Sequence, residues 1–461
     1  MAKGFAKSFE GAFQYLLPSP LTIALFLSLF AFSLVWFLGP AGLSQNFTKS
    51  IDYWIEGLWQ APLLVFMVQM MLVLVLGHIL ALAPFIKKLI ARLLSLANSP
   101  AAISAMVCFF SLLVSFFNWG LGLVFGAIFA HQAGLKLKSL NQKFNYGLLG
   151  AAGYSGLMVW HGGLSGSAPL KVAEEDHLHK LMQGIDLGAY VDLLPQTIPL
   201  SETLFSPMNI FSSLMLLLIL PGLIFLLAKF YAESSSEGPM EALKAKKIET
   251  LRLYGAEKLD HSKYLGIAMG LAILAINLKI IFSEEALSFM TLNFINLTLL
   301  ALGFILHGSL SSFLKALDQA ISGAAGILIQ FPLYFGIMGL MSNSGLISQL
   351  SEFFSTIASP LSFPILSFFS AGLVNIFIPS GGGQWAIQGT VLIETALRLD
   401  IPLGKAVMAL AYGDQLTNML QPFWALPLLA ITGLKARDII PYTLIIMLMG
   451  ILIFTTSLFL F

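Results

Sequence analysis

Apolar residues run along this chain in blocks long enough to cross a bilayer, with polar residues gathered between them. A spanning helix needs about 20 such residues. Uninterrupted blocks lie at about 20–38, 61–82, 208–228, 264–282, 288–306, 316–341 and 440–461. Two more, 144–170 and 402–432, carry Gly, Pro or polar residues in their middle and predict broken helices. Two others, 101–134 and 361–397, are apolar at both ends around "NWGLG" (118–122) and "PSGGG" (379–383). Each is short for two full spans plus a turn, and predicts a re-entrant hairpin. The expected fold is an all-α polytopic membrane protein of about nine spans plus two hairpins.

Composition agrees. The chain is 57% hydrophobic and 10% charged, with a mean hydropathy of +0.87. A soluble domain carries about 25% charged residues. A β-barrel would show short alternating segments instead of long apolar runs. The net charge of +1 points to no nucleic-acid partner, and the single Cys108 cannot form an intrachain disulfide.

Lys and Arg mark cytoplasmic loops. Lys3 and Lys7, Lys87, Lys88 and Arg92, Lys136, Lys138 and Lys143, the six basic residues of 232–263, and Lys435 with Arg437 all fall on one side. The expected orientation is N-terminus cytoplasmic and C-terminus periplasmic. Arg398 and Lys405 are the exceptions. The segment 1–20 lacks the short apolar core and small-residue site of a cleavable signal and is expected to form an interfacial amphipathic helix. The polar stretch 231–263 is expected to be a cytoplasmic linker.

Shifting the sequence by 260 brings Ser95, Ser99, Pro100, Phe109, Leu113, Val114, Phe117 and Gly122 over Ser355, Ser359, Pro360, Phe369, Leu373, Val374, Phe377 and Gly382. Tyr154 and Tyr412 match with a two-residue slip. The organisation expected is residues 1–60 as amphipathic helix and first span, repeat 1 at 61–230, the linker, connecting spans at 264–306, and repeat 2 at 316–461. The charge pattern gives the repeats opposite topology. Inverted repeats with helices broken at mid-membrane belong to secondary transporters.

The chemistry lies at the breaks. Backbone that leaves the helix at membrane depth must be buried in protein or line a polar cavity. Gly allows the turn and lets backbone approach a ligand. Behind Pro379, a helix starting near Gly383 presents free N–H groups, which suits an anion. "GYSGLMVWHGGLSGSAPL" (153–170) and "AYGDQLTNMLQPFWALP" (411–427) supply Gly163, Ser165, Gly166, Ser167, Asp414, Gln415, Asn418 and Gln421. Asp414, Thr417, Asn418 and Gln421 recur at spacings of three and four, so they share a helix face. No Arg or Lys stands ready to pair with two carboxylates, which favours a small monovalent anion. Trp119, Trp160, Trp385 and Trp424 beside the breaks would wall a short acyl chain.

Each feature has a plainer alternative. Glycines serve close helix packing. Asp414 could be a neutral, hydrogen-bonded structural carboxyl. His161 and Ser165, four residues apart with no orienting acid, make a weak nucleophile–base pair for an acyl hydrolase. His161 fits better as a pocket-lining side chain.

"NWGLGLVFGA", "GLSGSAPL", "ILIQFPLYFGI", "PSGGGQWAIQG" and "MALAYGDQLTNMLQPFWALPLLAITGLKARDI" resemble the bacterial short-chain fatty acid transporters over nearly the whole chain. The resemblance implies an inner-membrane carrier of acetoacetate- or butyrate-like monocarboxylates. More distant kinship with a wider ion-transporter superfamily implies a homodimer and an elevator motion. His161 stands where another Gly is expected, and Asp414 where a Glu is also familiar.

The expected activity is transport of a short-chain fatty acid coupled to H⁺ or Na⁺, without a cofactor or enzymatic step. The expected substrate-binding residues are Asn118, Trp119, Gly120, His161, Gly163, Ser165, Gly166, Ser167, Ser380, Gly381, Gly382, Gly383, Gln384, Gln415 and Gln421. Asp414, Asn418, Asn375 and Ser380, with backbone carbonyls, are expected to hold the coupling ion, Na⁺ being possible there. Membrane lipid is the other partner. The alternatives are a carrier or exchanger of another small anion and, more remotely, the acyl hydrolase.

Overall fold

The computed structural model describes residues 11, 12, 15–39, 47–183, 187–231, 255–283 and 291–461. Most of the amphipathic helix expected before residue 20, and most of the linker 231–263, lie outside them. Among the described residues the structure is helical, with no strand.

Serine caps followed by proline set several helix starts. Ser-Pro pairs open α1 (Pro20–Leu38), α5 (Pro100–Phe117) and α8 (Pro207–Phe230). In each, the serine hydroxyl accepts a main-chain N–H of the first turn, from Thr22, Ala102 and Asn209. Proline sits at the first helical position, where no N–H is needed. Between α1 and α5 lie α2 (Phe47–Leu58), α3 (Ala61–Leu82) and α4 (Pro84–Ser95).

The first hairpin is α5 and α6 (Trp119–Ser139), joined at Asn118 alone. Asn118 is extended, and its Oδ1 accepts the N–H of Leu121 at 3.0 Å. The arms have 18 and 21 residues and both are long and apolar enough to cross a membrane. Their length therefore does not require re-entrance. The next helix, α7 (Tyr146–Tyr154), passes into 3₁₀ turns at Ser155–Met158 and Trp160–Gly162 and resumes only for Ala168–Lys171. The first broken helix thus has one arm and a short terminal turn.

After α8 come α9 (Lys263–Ser283), α10 (Leu292–His307), α11 (Leu310–Ala320), α12 (Ala325–Asn343) and α13 (Leu346–Thr356). The second hairpin is α14 (Phe363–Asn375) and α15 (Gly381–Arg398). At about 1.5 Å per residue, α14 reaches roughly 20 Å, short of the hydrocarbon core. The second broken helix is α16 (Leu403–Thr417), a 3₁₀ turn at Asn418–Leu420, and α17 (Pro422–Thr432). The break falls before Pro422, as the sequence predicts. The long α18 (Ala436–Leu460) closes the chain.

Eight helices of the described residues are long and apolar enough to span: α1, α3, α5, α6, α8, α9, α11 joined to α12, and α18. Glycine lets the functional helices meet. A side chain at Gly413 of α16 would run into the main-chain oxygen of Phe368 in α14, and Gly126 of α6 abuts Gly153 of α7 in the same way. One large apolar core joins most helices. A second, smaller one docks residues 172–183 and 187–198 on α15 and α16 through Val172, Leu178, Met182 and Ile198.

Candidate functional site

Both hairpin tips and both helix breaks meet. The first tip is bound to the first break: the N–H of Trp119 donates to Ser165 Oγ at 3.0 Å, and that of Leu164 to the oxygen of Phe116 at 2.7 Å. The second tip rests on the same break. A Cβ at Gly381 would lie 3.0 Å from His161, Ser167 and Trp160 side chains. Beside it, a Cβ at Gly382 would meet nothing within 4 Å, so there is open space at the start of α15. Ser380 caps that helix, its Oγ accepting the Gly383 N–H at 3.3 Å.

The two breaks are joined through α16. The N–H of His161 donates to Gln415 Oε1 at 2.9 Å. His161 Nε2 accepts the Ala168 N–H at 3.3 Å, and Nδ1 stands 3.7 Å from Asp414 Oδ2. Both Nδ1 and Oδ2 are buried and have no hydrogen-bond partner. His161 therefore does have an acid beside it, contrary to the sequence expectation. Ser165 and His161 have other partners: Ser165 Oγ accepts from the Trp119 N–H, and His161 Nε2 from that of Ala168.

The residues expected to hold a coupling ion lie around the end of α14 and the second break. Asn375 Nδ2 lies 2.7 Å from the main-chain oxygen of Asp414, 2.9 Å from Thr417 Oγ1 and 2.8 Å from Asn418 Oδ1. Asn375 thus meets the backbone of Asp414, while the carboxyl faces His161. Gln421 Nε2 donates to the oxygen of Asn375 at 2.6 Å. Among the buried acceptors left free are Asn375 Oδ1, Gln421 Oε1, Gln384 Oε1 and Asp414 Oδ2. Oxygen atoms are the donor type a small hard cation or a proton takes. Such unpaired buried groups need an explanation.

Trp119 packs against Trp424 (5.0 Å between ring centroids) and Trp160 (6.0 Å), and Trp160 stacks on His161 at 4.3 Å. The indole N–H groups of Trp160 and Trp424 are buried and unpartnered. Trp385 does not join this wall; its indole N–H donates to His177 at 2.9 Å in the segment after the first break.

Sequence reasoning missed Asn209, a polar residue in the first turn of an apolar helix. Its Nδ2 donates to the oxygens of Gly162 and Leu204, and its Oδ1 accepts from Tyr412. It also passed over Tyr154 and Tyr412 except as matching positions. Intramembrane polar groups of this kind were a usable signal.

Fold and site together define a multi-pass helical membrane protein with paired hairpin tips and helix breaks around a buried polar centre. Residues 6–461 match the family described as short chain fatty acid transporter. A protein of Escherichia coli strain K12 is 37% identical over 451 residues, covering 96% of each chain. One of Haemophilus influenzae strain Rd is 38% identical over 454 residues, covering 96% of this chain and 95% of its own. Both are named "Putative short-chain fatty acid transporter". The chain belongs to the short-chain fatty acid transporter family. The crystal structure of the YdaH transporter of Alcanivorax borkumensis, titled as having an unusual topology, aligns over 96% of this chain and 97% of its own. Its TM-score is 0.42 at 16% identity, too distant to bear on the site.

Proposed function

We propose that the protein is a secondary active transporter of a short-chain monocarboxylate, acetoacetate- or butyrate-like, coupled to H⁺ or Na⁺. The observation that carries this reading is the meeting of both tips and both breaks at Trp160–Ser167 and Gly381. The carboxylate would bind at the start of α15, in the space beside Gly382, where first-turn N–H groups and the helix dipole favour negative charge. Among the described residues no lysine or arginine is buried, which favours one carboxylate over two. The tryptophans would take the acyl chain, and the free oxygens around Asp414 and Asn375 the coupling ion.

The two repeats would be inverted, and their exchange of roles would give alternating access. An elevator-type homodimer in a bacterial inner membrane, with the N-terminus cytoplasmic, completes the proposal. The protein would act as a carrier and not as an enzyme.

The test is uptake of labelled butyrate into proteoliposomes under an inward Na⁺ gradient or an inward H⁺ gradient. Saturable uptake accelerated by one gradient is expected. No uptake under either would sink the fatty-acid assignment.

A further inference from the structure

The second hairpin is not apolar inside. Ser380, Gln384 and Gln388 recur every four residues of α15 and so share one face. Gln388 Nε2 donates to Ser351 Oγ of α13 at 3.0 Å and to Ser370 Oγ of α14 at 3.2 Å. Its Oε1 accepts from Gln384 Nε2 at 2.7 Å. Gln384 Nε2 also donates to the oxygen of Ala371 at 2.8 Å, and Gln384 Oε1 is buried without a partner. These bonds form a ladder from Ser351 of α13 through Gln388 and Gln384 to the carbonyl of Ala371 in α14.

The ladder begins in a cleft. Between α13, α14, α15 and α16 lies a small, partly open cleft of about 20 Å³, room for about one water. Ser351, Ser355, Ser367, Ser370 and Gln388 line it among apolar residues. A hairpin that only had to pack would be well served by apolar side chains, since a buried amide gains little net stability even when bonded. Polar walls at this depth make sense where water or an ion passes. Beyond the ladder, the carbonyl of Gly372 in α14 binds Thr417, and Thr417 binds Asn375. The ladder ends on the carbonyl of Ala371, and the next residue, Gly372, begins the polar group that reaches the oxygens around Asp414.

We propose that this ladder is the path by which water and the small coupling cation reach the buried centre from the face on which α13 lies, separate from the substrate's position at the helix start of α15. The lining supplies amide and hydroxyl oxygens and no fixed positive group, which suits a cation and not a carboxylate. The inference rests on the coupled-transport reading above.

The test begins with wild-type proteoliposomes. If neither gradient stimulates butyrate uptake, the coupled-transport reading fails, and the path falls with it. If one does, Gln388→Leu is expected to lower gradient-stimulated uptake by about tenfold, the rate equivalent of one buried polar contact. Butyrate exchange at equal, saturating cation on both faces is expected to persist, because the cation need not leave. Gradient stimulation intact in Gln388→Leu would overturn the path. Should that variant not fold, Ser351→Cys and Ser367→Cys in a Cys108→Ser background give a second measurement. A membrane-impermeant cationic thiol reagent is expected to label both, and faster than an anionic one of equal size. No labelling of either, or faster labelling by the anionic reagent, would overturn a cation path.

Discussion

The hydroxyl of Tyr154, at the end of α7, lies 2.8 Å from the main-chain oxygen of Asn418 and 3.2 Å from that of Gln421. One broken helix thus holds the freed carbonyls of the other. Tyr412, at the matching position of α16, reaches the first break through Asn209, which binds the oxygen of Gly162. Tyr154→Phe removes this donor from the buried Gln421 carbonyl, while that of Asn418 keeps the Gln421 N–H; the loss costs about 1–3 kcal/mol. We expect a lower thermal midpoint in detergent and slower uptake, with the chain still inserted. Unchanged stability and rate would show that the contact is idle.

The glycines of the second tip separate into two kinds. Gly381→Ala must push against His161, Ser167 and Trp160, whereas Gly382→Ala meets nothing. Gly382→Ala is expected to fold normally but weaken butyrate affinity, because its methyl enters the space assigned to the carboxylate. Binding can be followed by quenching of tryptophan fluorescence. Normal affinity in Gly382→Ala would move the substrate elsewhere.

Asp414→Asn keeps the shape of the side chain and removes its charge. Gradient-driven accumulation should fall by about tenfold or more if Asp414 carries the coupling ion. Retained accumulation, measured as the ratio of internal to external butyrate, would make Asp414 a structural carboxyl.

His177 ties the segment 172–198 to the second hairpin by accepting the Trp385 indole N–H. Burial holds its pKa below the ordinary histidine value; Lys171 and Lys180 act in the same direction, against Glu174. Protonation would also turn the accepting nitrogen into a donor. The docked segment therefore favours neutral His177. Its stability contribution is complete above the unfolded value of about 6.5 and is lost as pH falls through the lowered native value. Amide exchange in 172–198 should accelerate on acidification in wild type and lose that dependence in His177→Gln.

Gly413→Ala drives a methyl into the backbone of Phe368, where neither helix has a flexible atom to yield. Overpacking of this kind costs about 1–3 kcal/mol. A lower thermal midpoint, together with poor expression, is the expected result.

Much of this was legible in the chain. Ser19, Ser99, Ser206 and Asn118 cap helix starts through contacts within four residues, a local signal the chain carries. The break before Pro422 followed from proline chemistry alone. The first hairpin was harder, because one residue, Asn118, suffices for its turn and leaves both arms long. Trp385 was misplaced because its indole finds His177 about 200 residues away, and no local signal points there.

The hydrophobic periods and caps by themselves determined an all-helical membrane chain, the location of its polar interruptions, and the residue types available to an anion and a cation. These depend on local sterics and on the cost of lipid-exposed backbone, which neighbouring residues fully specify. Only the tertiary structure decided that Asp414 faces His161 while Asn375 takes its backbone, that Gly381 rests on the first break, and that Gln388 opens onto a cleft. Those relationships depend on which helices pack together and at what rotation, and packing is settled by contacts far apart in the chain.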